Sequence, residues 1–127
     1  MVNTVSSKAR VQRKAQAHAP AHVKRKMLSA HLSQDLRAKY GVRTARVCKG
    51  DTVAVLRGDE DIRGTEAKVL EVFTKTGRVS IDGVTINQAD GTATVRPIHA
   101  SNLVITKLNT EDAWRVESLS KNKEAKK

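Results

Sequence analysis

The side chains with the clearest chemical potential are cations. Lys8, Arg10, Arg13, Lys14, Lys24, Arg25, Lys26, Arg37, Lys39, Arg43 and Arg46 all fall within the first 46 residues, where Asp35 is the sole acid. Ammonium and guanidinium groups at this density neutralise phosphates and release their condensed counterions. Such contacts set affinity and position and carry little sequence information. His18 and His22 sit among them and suit contact with a phosphate or a base. A solvated tail that only raises solubility is the bland alternative. Against it stand the near-absence of acids and the small residues between the cations, which let the chain lie close to a nucleic-acid backbone.

Other constellations are weaker. His18 and His22 are four apart, a spacing that could share a metal on a helix, but Pro20 lies between them. Cys48 is the only cysteine, and a zinc site needs about four ligands. Asp59-Glu60-Asp61 reads as a solvated acidic loop. There is no GxGxxG and no P-loop. The expectation is therefore no enzyme, no metal and no cofactor. Tyr40, Phe73 and Trp114 are the only aromatics, too few for a peptide groove or a row of stacked single-stranded bases. Shape and phosphate recognition of folded RNA fits better.

Charge distribution says where the cations must be held. The chain carries net charge +11 with pI about 10.2. Residues 1–46 hold 11 Lys and Arg against one acid; residues 47–117 hold 9 against 11. The pattern is a basic arm on a nearly neutral module. A lone cysteine allows no intrachain disulfide and fits a reducing compartment. No apolar run approaches the roughly 18 residues of a membrane helix. The N-terminus lacks an apolar signal core, and its basic segment runs past a usual cleavage window.

The positioning elements read as follows. Residues 1–6 are expected to be disordered. Ser7–Ala17 reads as a marginal helix capped by Ser7, broken by Pro20. Met27–Leu32 is the only apolar patch of the arm. Ser33 caps a short helix that ends at Gly41. From Val47 the chain reads as five short strands: Thr52–Leu56, Thr65–Phe73, Arg78–Ile81, Thr92–Val95 and Leu103–Ile105. Val53, Val55, Val79 and Ile81 face inward on the period of two. Asn87–Gly91 is a hairpin turn. Glu111–Leu119 reads as a helix with Thr110 as cap and with Trp114 and Leu119 partly buried. A disordered Lys-rich tail follows. The expected fold is mainly β: a basic, partly helical arm over 1–46, a small barrel over 47–108, and a helix and tail over 109–127.

Lys49-Gly50-Asp51-x-Val53-x-Val55-x-x-Gly58, then Gly64 and Lys68-Val69, resembles a KOW motif, which builds part of an SH3-like barrel. Ala19–Lys26, Ser29–Gly41, Ala89-Asp90-Gly91 and Arg96-Pro97-Ile98-His99-x-Ser101-Asn102-Leu103 are similar to the universal large-subunit ribosomal protein L twenty-four family, archaeal and eukaryotic type. The resemblance spans roughly residues 8–119. It implies a structural constituent of the large ribosomal subunit in the cytoplasm. It further implies direct binding to the 5′ region of the large-subunit ribosomal RNA, early assembly, a place near the peptide exit tunnel, and neighbouring ribosomal proteins as partners. It carries RNA contact to Lys49, Gly50, Arg57, Arg63, Arg96, Pro97, His99, Ser101 and Asn102, beside the cations of the arm and its His31. Two positions depart from the motif. Five residues, Asp59 to Arg63, lie between glycines where three are usual, so the acidic tip is expected to face solvent. Ala67 stands where a third glycine is common. The alternative is a KOW transcription elongation factor binding RNA polymerase. That reading asks for a further folded domain before the barrel, and residues 1–46 are too basic and apolar-poor to supply one.

Overall fold

Alternating side chains decide how the sheet is assembled. In this computed structural model, which describes residues 5–125, nine strands, four α-helices and one short 3-10 turn follow the order α1 (Ala9–Ala17), α2 (Ala21–Met27), β1 (Ser29–Leu32), α3 (Gln34–Tyr40), β2 (Thr44–Arg46), β3 (Thr52–Val55), β4 (Glu66–Phe73), β5 (Arg78–Ile81), β6 (Thr85–Asn87), β7 (Ala93–Val95), β8 (Ile98–His99), the 3-10 turn Ala100–Asn102, β9 (Leu103–Lys107) and α4 (Ala113–Ala125). Seven strands pair in the order β2-β1-β9-β3-β4-β5-β8, and β6 pairs with β7 apart from them. No pairing joins the β2 and β8 edges among the described residues, so the sheet does not close into the expected barrel.

Register explains the core. Leu32 lies opposite Ile105, Ile105 opposite Val53, and Val53 opposite Ala67. These cross-strand neighbours share one face, and Leu32, Ile105 and Val53 are fully buried. Val69 faces Ile81, and Val79 lies between Val72 and Ile98. One extra residue in β4, between Val69 and Glu71, breaks the ladder with β5 and leaves Leu70 exposed.

The expected arm is not separate from this core. Leu28, Ala30, Leu32, Tyr40, Val42 and Ala45 are buried within it. Ser29–Leu32 forms β1, antiparallel to β2 and parallel to β9. The apolar patch therefore becomes a central strand, because its alternate residues Ala30 and Leu32 need a covered face. Ser33 caps α3, accepting the Leu36 N–H at 3.5 Å, and Gly41 ends it at φ 66°. Pro20 does break the first helix. It also stands as the N-cap of α2, a helix without a side-chain cap to announce it in the sequence.

Several local expectations change. α1 starts at Ala9 without a side-chain cap, so Ser7 does not serve as one. Ser6 is held in place, its carbonyl accepting from Gln12 Nε2 at 2.8 Å; residues 1–4 lie outside the described residues. The five residues after Gly58 form a single helical turn, in which Ile62 and Arg63 donate to the Asp59 carbonyl. That turn buries Ile62 and leaves Asp59, Glu60 and Asp61 exposed. Thr92 donates to Asp90 through its hydroxyl and, at 3.0 Å, its backbone N–H, holding that carboxyl below its usual range. Trp114 is 81% exposed rather than partly buried. Arg115 and Leu119, spaced i and i+4, anchor α4, and Trp114 falls about 100° to the side of that face. The expected tail is helical to Ala125, with Lys121 paired to Glu117 at 2.6 Å.

Candidate nucleic-acid interface

A cleft forms where the two basic helices meet the turn between β4 and β5. Arg13, Gln16 and Ala17 of α1, Lys24 and Met27 of α2, Thr74–Gly77 of the turn and His99 line a cavity of about 450 Å³. Lys24, Arg25 and Lys75 line a second depression beside it, of about 400 Å³. Neither lining includes an acid. Three cations, Arg13, Lys24 and Lys75, thus converge there with His99.

Local geometry sets the His99 ring. The backbone N–H of Ser101 donates to His99 Nδ1 at 3.2 Å, and the Ser101 hydroxyl lies 2.8 Å from the same atom. An acceptor at Nδ1 places the ring proton on Nε2. Nε2 lies close to Gly77, where an added Cβ would sit 3.5 Å away. Gly77 has φ 68°, and its carbonyl accepts the Ala100 N–H at 3.3 Å. Glycine at this turn thus satisfies the backbone and keeps the cleft floor low. His99 presents an N–H donor there.

The remaining predicted contacts are distributed. Lys8, Arg10, Lys14, His18, His22 and Lys26 are exposed on or beside α1 and α2; His18 Nδ1 bonds to the Lys14 carbonyl at 3.0 Å. Arg57 and Asn102 are adjacent, since the Asn102 carbonyl accepts from Leu56 at 2.9 Å and Arg57 at 3.4 Å. Arg63 and Pro97 are exposed. Arg96 pairs with Asp59, which ties one predicted RNA contact to the acidic loop. Arg37 donates to the Leu32 carbonyl at 2.8 Å, and the Lys39 ammonium sits 5.3 Å from the Tyr40 ring. Neither lines the cleft, nor does exposed Arg43. His31 lies in β1 with its Nδ1 buried and without a hydrogen-bond partner.

Lys49 and Gly50 of the motif have a structural companion that sequence reasoning missed. Asp51 is fully buried and accepts from Cys48 N–H at 3.0 Å and Asn109 N–H at 2.8 Å. Arg115 of α4 closes on both its oxygens at 2.6 Å and donates to the Arg46 carbonyl at 2.8 Å. Burial opposes the guanidinium charge, but the hydrogen bonds and charge of Asp51 outweigh it and raise its proton affinity. Gly50 packs so tightly that an added Cβ would lie 2.7 Å from Asn109 Nδ2. Lys49 is left exposed on this hydrogen-bonded turn. Lys75 was also missed; a cation at a hairpin tip was the available signal.

Comparison with known proteins bears on this arrangement. The sequence pattern of the family described as ribosomal proteins L26 eukaryotic, L24p archaeal, matches residues 6–122. The chain is 49% identical over 120 residues to the large ribosomal subunit protein uL24 of Methanospirillum hungatei, covering 94% of this chain and 98% of that one. It is 50% identical over 120 residues to uL24 of Methanocella arvoryzae, with 94% and 95% covered. Against uL24 of Sulfurisphaera tokodaii it is 45% identical over 122 residues, with 96% and 89% covered. The chain therefore belongs to the ribosomal protein family that joins L26 of eukaryotes with L24p of archaea.

Proposed function

We propose that the protein is a structural component of the large ribosomal subunit and binds the large-subunit ribosomal RNA directly. The observation that carries this is the acid-free cleft in which Arg13, Lys24, Lys75 and His99 converge. Three permanent cations and an imidazole N–H suit a phosphate backbone, and the β4–β5 turn sets Lys75 beside His99. The sheet serves as a platform. It sets α1 and α2 against the β4–β5 turn and holds Lys49 and Arg57 on separate loops. The cations of α1 and α2 screen phosphate repulsion between neighbouring RNA segments.

The 5′ region of the RNA, entry early in assembly, a place near the exit tunnel and neighbouring ribosomal proteins belong to the same proposal. The role is positional rather than catalytic. No described feature favours the transcription-factor alternative: α1 and α2 bury none of their residues, so they form no second core. Filter binding to a transcript of the Methanospirillum hungatei large-subunit ribosomal RNA tests the reading. Saturable, salt-sensitive binding that prefers the 5′ domain is expected. Binding no tighter than to an unrelated structured RNA would reject it.

A further inference from the structure

A second groove, of about 400 Å³, runs between β2 and α4. Its character differs from that of the cationic cleft. Thr44 and Arg46 come from the sheet edge, and Asp112, Trp114, Ser118 and Asn122 from α4 and its approach. Arg115 also lines it, but its charge is taken by Asp51. One cation and one acid remain, beside two hydroxyls, the Cys48 thiol, an amide, an indole and the apolar Ala45 and Leu119. Trp114 is 81% exposed, whereas Tyr40 is buried and Phe73 half-buried. The main chain at Trp114 is fixed, its N–H donating to Asp112 Oδ1 at 3.0 Å.

We infer that this groove takes a single unpaired base of the ribosomal RNA, stacked on the Trp114 indole, with Arg46 on the adjoining phosphate. The inference rests on the RNA-binding reading above and adds to it a base-recognition site. Chemistry separates the two grooves. An acid-free cleft suits phosphates. A nearly charge-balanced groove with an exposed ring suits a neutral, flat, polar-edged group. Asp112 can accept from an exocyclic amine or ring N–H, and Asn122 can both donate and accept. The volume holds about one nucleotide. Every base offers a π-face, so the site selects an unstacked base before it selects which base.

Trp114 is the only tryptophan of the chain, so its emission reports this groove alone. The full-length protein is titrated with the Methanospirillum hungatei large-subunit ribosomal RNA transcript, and emission is read beside filter binding. Stacking predicts strong quenching that saturates with binding. Trp114→Ala should weaken binding about 5- to 150-fold, the range of one lost stack. Trp114→Phe should restore affinity to within about threefold. Normal filter binding with unchanged emission and an unaffected Trp114→Ala variant would overturn the inference and leave the RNA-binding reading standing. A change in emission only after other large-subunit proteins are added would overturn it in favour of a protein neighbour. Absence of filter binding altogether would remove the reading beneath it.

Discussion

Arg115 and Asp51, 64 residues apart, form a two-pronged ion pair that fastens the last helix to the turn before β3. The carboxylate is fully buried and the guanidinium side chain is 12% exposed. Two backbone N–H groups and two arms of the guanidinium occupy the carboxylate's lone pairs. Removing one partner strands the other charge. Arg115→Met should cost about 3–5 kcal/mol of unfolding free energy, the usual effect of breaking a buried pair. Asp51→Asn combined with Arg115→Met should cost less than the two single changes together, because each removes the same interaction. Urea unfolding of the three variants checks both expectations.

The core reaches back into the basic segment, so truncation should show a sharp limit. Deleting residues 1–17 removes no buried side chain among those described. Its unfolding midpoint should stay close to that of the intact chain. Leu32→Ala, by contrast, empties a fully buried position in β1 beside Ile105. It should cost about 2–5 kcal/mol, as for other large-to-small core changes. Thermal melts of the two proteins distinguish this account from one in which the domain begins at Val47.

Much of the sheet is legible because strands announce themselves through a period of two. Val53 and Val55, Val79 and Ile81, and Leu103 and Ile105 alternate with more exposed or polar residues and lie where alternation puts them, although Ser80 is buried as well. Ser33 and Gly41 mark α3 by cap chemistry alone. What escaped reading depends on distant partners. Ser29–Leu32 is four residues between helices, and it is completed by β2 on one side and by β9, far along the chain, on the other. Asp51 looks like an ordinary turn residue until α4 delivers Arg115. Lys75 looks like a turn tip until α1 and α2 fold over it. Arg13 and Lys24 are thus legible as members of the basic segment, but Lys75 and the convergence of the three are not.

Cys48 offers a check through pH. Burial pushes its thiol above the ordinary value, partly offset by the charge of Arg115 and reinforced by Asp51. The native state therefore resists forming thiolate, the reactive species. Iodoacetamide should modify the native protein several-fold more slowly than the urea-unfolded chain, with the rate midpoint at higher pH. The raised value favours the fold fully below the unfolded thiol's pKa, and that contribution is lost as pH rises through the folded one.

On the proposed reading, α1, α2 and the β4–β5 turn supply the main electrostatic grip on RNA. Its most direct test is the salt dependence of ribosomal RNA binding for the intact chain and for the Arg13→Ala, Lys24→Ala, Lys75→Ala triple variant. Each phosphate contact removed should flatten the slope of log affinity against log salt by about one. The triple variant should lose about two to three units of slope and bind more weakly at every salt concentration. Lys121→Ala, at a cation paired with exposed Glu117 and outside the cleft lining, should leave the slope unchanged. An unaltered slope in the triple variant, with affinity within twofold of the intact chain, would contradict the account.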